Sequence, residues 1–217
     1  MERMKNLLLA ALLCLSSAAL PSLAQAQPHA AVLSDADNAV LRQVEAYLNG
    51  LTSLKGHFLQ IAPDGGTSTG TMWLVRPGRL RFQYDPPSPL LLLASHGLVV
   101  FRDTKLDQTS NIPEGETPLG LLLRDTITLT GDVTVTDLQR PPGLIEITLT
   151  KTRAPGDGTL TLVLEADKLA LTGWSVVDAQ GRETRIRLTD MSFGGHYDNS
   201  LFTYVDLNAL SPNSNTP

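Results

Sequence analysis

Apolar and polar residues alternate along most of this chain, most clearly over residues 70–101. In the predicted strand 79–84, Leu80, Phe82 and Tyr84 fall on one face and Arg79, Arg81 and Gln83 on the other, because successive strand side chains point to opposite sides. In the strand before it, Met72 and Leu74 share a face with Arg76, while Thr71, Trp73 and Val75 share the opposite one. The breaks have physical causes. Arg76-Pro77-Gly78 is a turn, since Pro presets φ and Gly accepts a positive one. Residues 85–89 contain Pro86, Pro87 and Pro89, which lack N–H donors and exclude a central strand. His96-Gly97 marks a tight hairpin. The stretch therefore predicts three consecutive antiparallel strands and the start of a fourth. One of its faces is large and apolar, with a lone arginine, Arg76, at the rim.

Two segments follow a different period. Val40, Leu41, Val44, Leu48 and Leu51 recur at helical spacing, with Tyr47 beside them. Ser34 can cap this helix, Asp35 and Asp37 suit its first turn, and Asn49-Gly50 ends it. The second segment starts with Thr117 as a cap and Pro118 at the first helical position, then runs through Leu119, Leu121, Leu122 and Leu123. It is apolar almost all round, which suits either a core helix or a cover over a cavity. The remaining strands are expected at 54–62 with Phe58 at the centre, then at 106–112, 127–129, 133–138, 144–151, 159–165, 169–178 and 182–193. Residues 199–204 form a last short helix or strand. Strands about a dozen residues apart with no long helices between them predict one antiparallel meander. A sheet this long curls, and the two apolar helices imply that one face stays open and is covered.

The ends read differently. Arg3 and Lys5 precede an apolar run over residues 7–20, Pro21 ends it, and Ala24-Gln25-Ala26 has the small-x-small pattern of a cleavage site. Residues 1–26 are expected to be a secretory signal peptide, too short for a membrane span. Residues 27–210 then make one domain, opening with a flexible leader, and 211–217 a polar, disordered tail. The single cysteine, Cys14, lies inside the signal, so the mature chain has neither disulfide nor thiol chemistry. Cys14 follows Leu12-Leu13 rather than a cleavage point, which argues against a lipid anchor. A soluble protein of the periplasm of a Gram-negative cell is expected. The formal charge of -5 gives no support for nucleic-acid binding.

Catalytic patterns are missing from the sequence. His29, His57, His96 and His196 have no metal-ligand spacing and no cysteine to join them. There is no G-x-S-x-G elbow, and Gly65-Gly66 and Gly194-Gly195 open no long helix that could bind phosphate. Asp85 and Asp103 could approach each other, as carboxylates do in any β protein. The expectation is a binding protein, not an enzyme, with no cofactor and no metal.

The string Gly70-x-Met72-Trp73-Leu74-Val75-Arg76-Pro77-Gly78-Arg79-Leu80-Arg81-Phe82-x-Tyr84 resembles the signature region of the LolA family of periplasmic lipoprotein carriers. Thr117-Pro118-Leu119-x-x-Leu122-Leu123 resembles that family's second patch, and the leader, the first helix and Phe58-x-Gln60 also match. The resemblance covers most of the mature chain. It implies a mainly β fold with an α lid: an incomplete, unclosed antiparallel β-barrel covered by short α-helices and enclosing an apolar cavity. It also implies a chaperone that takes lipoproteins from an inner-membrane ABC transporter, shields their acyl chains, and delivers them to an acceptor lipoprotein at the outer membrane. Arg76 corresponds to the family's lid-latching arginine, which bonds backbone carbonyls of the lid helices in the closed, empty state. Phe58, Met72, Leu74, Leu80, Phe82 and Tyr84 are the expected acyl-chain cavity, and Leu119, Leu122 and Leu123 the lid. Leu80 departs from the aromatic residue that some relatives carry there.

From the residues alone, Arg76 reads first as a solvated turn arginine at the sheet edge, and only the resemblance favours the latch. Arg79 and Arg81 read as solvated or partner-facing charges, and Trp73 and Trp174 as packing residues. A monomer is expected. Carriage of another lipid on the same fold, or a lipid-sensing regulatory module, stays open as an alternative.

Overall fold

The structure, a computed structural model, describes residues 29–204. The expected signal peptide 1–26, the start of the leader and the tail 211–217 lie outside the described residues. Eleven antiparallel strands form one unclosed sheet in the spatial order β6-β5-β4-β3-β2-β1-β11-β10-β9-β8-β7. In chain order these are β1 (Ser53–Ile61), β2 (Thr67–Val75), β3 (Arg79–Tyr84), β4 (Leu90–Ser95), β5 (Leu98–Asp103), β6 (Gln108–Pro113), β7 (Val133–Gln139), β8 (Leu144–Lys151), β9 (Gly158–Glu165), β10 (Ala170–Asp178) and β11 (Glu183–Phe193).

The sheet is two meanders, not the single one that the strand spacing suggested. β1–β6 and β7–β11 are spliced where the first strand pairs with the last, with Phe58 opposite Leu188 and Gln60 opposite Ile186. β6 and β7 therefore lie at opposite edges, and residues 114–132 cross between them. A regular spacing of strands shows that neighbours pair, but it cannot show which distant strands meet. The turns fall where the residues put them: His96 and Gly97 both take positive φ in the β4–β5 hairpin. The polar strand expected from 106 begins two residues later, because Asp107 also takes a positive φ that ends the preceding turn.

Helix α1 (Asp35–Gly50) packs into the same core as the inward-facing strand residues. Ser34 and Asp37 form a reciprocal capping box, and Leu41, Val44 and Leu48 are the buried stripe. The core is what this stripe and the inward-facing strand positions make together, including Met72, Leu80, Ile147, Leu162 and Trp174. On the convex face the 3-10 turn Asn199–Phe202 lies against β3 and β4. Here the expectation for Arg79 and Arg81 is corrected. Arg79 donates to the Asn199 side chain and stands 5.6 Å over the Phe202 ring, and Arg81 donates to the Leu201 carbonyl at 3.0 Å. They hold the 3-10 turn that follows β11 and are not simply solvated. Both lie in strand β3 and reach residues some 120 positions away, which no local pattern reveals.

Candidate functional site: an apolar concavity under a tied strap

The interior is built from cross-strand rows. Phe58 of β1 stands opposite Gly70 of β2, which stands opposite Tyr84 of β3. A β-carbon at Gly70 would lie 2.2 Å from the Gln83 carbonyl oxygen and 2.7 Å from the Phe58 ring. The missing side chain lets the Phe58 and Tyr84 rings meet across β2, edge to face at 5.1 Å, and Phe58 meets Phe82 at 4.7 Å. Met72 and Leu74 follow along the same face of β2, with Leu80 opposite Leu74. All six expected cavity residues are at most 6% exposed. They are brought together, but as part of one packed core with α1 and the strap, not as the walls of an empty cavity.

The strap is the crossing segment 114–132. It is tied along one rim of the barrel. Glu114 N–H donates to the Gly97 carbonyl and Gly78 N–H to the Leu123 carbonyl, each at 2.8 Å. Thr117 Oγ1 accepts from the N–H of Gly120, the first residue of the short helix α2 (Gly120–Leu123), which starts later than expected and has Leu119, not Thr117, at its N-cap. Leu121, Leu122 and Leu123 are buried, and Leu119 is half-buried. Leu121 was not among the expected lid residues. A cavity of about 180 Å³ remains between the strap and β7–β9, lined by Pro118, Leu121, Val133, Leu149 and Leu160 with Glu114 and Arg124 among its polar residues. Burial holds the Glu114 carboxyl above its usual range.

Arg76 sits where the strap passes the end of α1. Its Nε donates to the Arg124 carbonyl at 2.8 Å, Nη2 to the Asp125 carbonyl at 2.9 Å, and Nη1 to the Leu48 carbonyl. Longer contacts reach the Leu51 carbonyl and the Asn49 side chain. The planar, five-donor guanidinium thus satisfies terminal carbonyls of α1 and of α2's exit together. Burial pulls its pKa down, partly offset by Asp125, but the group stays charged.

The expected strand at 127–129 is absent. Ile127 instead exchanges two hydrogen bonds with the Asn49 side chain, and Leu129 N–H donates to Glu45 Oε1 at 2.6 Å. Buried backbone groups need partners, and here helix side chains supply them in place of a neighbouring strand. Asn49 and Glu45 are functional candidates that the sequence reading missed, since both look like ordinary residues on a helix's polar side. Asp85 and Asp103 form no acid–base pair. Asp85 accepts from Thr69, and Asp103 from two backbone N–H groups of its own turn.

An unclosed antiparallel barrel whose concave face is lined mainly by apolar side chains and shut by a hydrogen-bonded strap is the architecture of a protein that shelters apolar ligands. A profile of the family "Outer membrane lipoprotein carrier protein LolA" matches residues 49–205, and the chain belongs to that family. Among relatives, the outer-membrane lipoprotein carrier protein of Methylococcus capsulatus is 29% identical over 181 residues, covering 79% of this chain and 86% of that one. The outer-membrane lipoprotein carrier protein of Chromohalobacter salexigens is 30% identical over 196 residues, covering 86% and 87%. A solved LolA superfamily protein from Nitrosomonas europaea is similar with a TM-score of 0.42 at 10% identity, covering 76% and 97%. The family is one of carriers, not enzymes.

Proposed function

We propose that the protein, as a domain of residues 27–210 exported by the leader 1–26, binds the acyl chains of outer-membrane lipoproteins in the periplasm. It receives them from an inner-membrane ABC transporter and hands them to an acceptor at the outer membrane, working as a monomer without nucleic acid, metal or cofactor. The observation that carries this reading is the bonding of Arg76 to carbonyls of both α1 and the strap over an interior made mainly of apolar side chains.

The physics is consistent with this role. Burying an acyl chain contributes about 0.8 kcal/mol per CH₂, so one long chain is worth on the order of 10 kcal/mol before offsets. A carrier must match that burial and still release its cargo. In the closed state Leu121, Leu122 and Leu123 fill the interior alongside Phe58, Met72, Leu74, Leu80, Phe82 and Tyr84. Incoming chains take the place of the strap's leucines and of α1's stripe, so the gain on loading is a difference between two apolar packings. The tie opposing them is a handful of hydrogen bonds, each worth about 1 kcal/mol net and somewhat more to a charged donor.

The test is lipoprotein release. Inner-membrane vesicles holding a labelled triacylated lipoprotein and a compatible transporter are incubated with ATP and the purified protein. A soluble one-to-one complex supports the reading. Release of no lipoprotein overturns it, in favour of another lipid cargo or a sensing role.

A further inference from the structure

Among the rings of the concave face one polar pair is embedded. Tyr84 is 6% exposed, and its hydroxyl donates to Gln60 Oε1 at 2.7 Å. Burial pushes the Tyr84 pKa up to about 12, so the phenol remains a neutral donor. Gln60 shares the parity of Phe58 and stands opposite Ile186, which places it on the apolar face beside the Phe58–Tyr84 ring contact. Its carbonyl is occupied by Tyr84. Among the described residues its amide nitrogen has no protein acceptor, which leaves a two-proton donor at the border of the apolar surface.

Resting on the carrier reading, we infer that Gln60, held by Tyr84, is the group that recognises the ester carbonyls joining acyl chains to the glyceryl unit of the lipid anchor. Hydrocarbon burial is non-directional and cannot tell a lipoprotein anchor from any other long chain. Ester carbonyls accept hydrogen bonds and never donate. A fixed donor at the edge of the apolar face suits them, and a partly buried donor left unpaired disfavours a ligand that lacks them. Tyr84 positions the amide: with its hydroxyl on Oε1, the nitrogen side of Gln60 is presented to the ligand.

The experiment uses two synthetic lipopeptides, one with two ester-linked palmitoyl chains on an S-glyceryl cysteine and one with ether links instead. Their binding to the full mature protein is compared by displacement of a fluorescent probe at pH 8. The expected result is a preference of roughly tenfold for the ester in the wild type, lost in Gln60→Leu. Gln60→Glu keeps an oxygen for the Tyr84 hydroxyl but has no amide donor, so it also loses the preference while its folding is checked by thermal melting. Equal binding of ester and ether by the wild type, or a preference retained in Gln60→Glu, overturns the inference and leaves the carrier reading standing. Binding of neither probe overturns both.

Discussion

Arg76 Nε lies 2.8 Å from the carbonyl oxygen of Arg124, a residue 48 positions further along the chain. That bond joins the β2–β3 corner to the end of α2, and the same guanidinium holds the end of α1. One side chain therefore bonds strap and helix together, beside the Asn49–Ile127 and Glu45–Leu129 bonds between the same two segments. Arg76→Leu is expected to lower stability by about 2–3 kcal/mol, from several lost charge-assisted bonds, measured by urea denaturation. Amide exchange over 119–131 should rise in the same variant. Arg76→Lys should restore little, because a single ammonium cannot span carbonyls on two segments. Unchanged exchange in Arg76→Leu would show that the strap is held without Arg76, by its leucines and its other hydrogen bonds.

At Gly70 the interior has no room for a methyl group. Gly70→Ala places a carbon against the Gln83 carbonyl and the Phe58 ring. A loss of about 2–3 kcal/mol is expected from overpacking, with a change in near-ultraviolet circular dichroism as the Phe58–Tyr84 contact is displaced.

The Asn49 side chain does the work of a strand edge for Ile127. Asn49→Ala should cost about 2 kcal/mol for two part-buried bonds and raise amide exchange over 126–130. Exchange elsewhere in the sheet should stay unchanged if the effect is local.

The capping box carries a pH dependence. Hydrogen bonds from the Ser34 side chain and backbone, with Arg140 nearby, hold the Asp37 carboxyl at about 2 against an ordinary 3.8. The folded value lies below the unfolded one. The stabilisation is therefore complete above about pH 4 and is lost as the pH falls towards 2. Carboxyl titration by NMR should move the Asp37 midpoint upward in Ser34→Ala, and Asp37→Asn should flatten the stability profile over that interval.

Much of this molecule could be read locally. Alternation put Leu80, Phe82 and Tyr84 on the buried face, the capped helix began at Ser34, and Pro77-Gly78 and His96-Gly97 turned the chain. What could not be read depends on meetings between distant residues. The pairing of β1 with β11, the seat of Phe202 beside Arg79, and the side-chain partners of Ile127 each link segments separated by 78 residues or more. Ile127–Leu129 has strand composition, but the structure places α1's side chains where a neighbouring strand would be. Arg76 stood out on its strand face as a lone arginine, and its reading as a latch came from the family resemblance, not from the local pattern. Its actual acceptors are main-chain oxygens, and these leave no mark on residue identity.

Because the first strand closes on the last, the centre of the sheet is the latest contact that the chain can make. A polypeptide emerging from its N-terminus can zip β1 to β6 but has nothing to place on the other side of β1 until β11 arrives. Such long-separation pairing makes folding slow. It also means that loss of the final strand would strand two half-sheets, neither of which closes over the helix. A fragment truncated before residue 183 should thus behave as unfolded, and not as a smaller barrel.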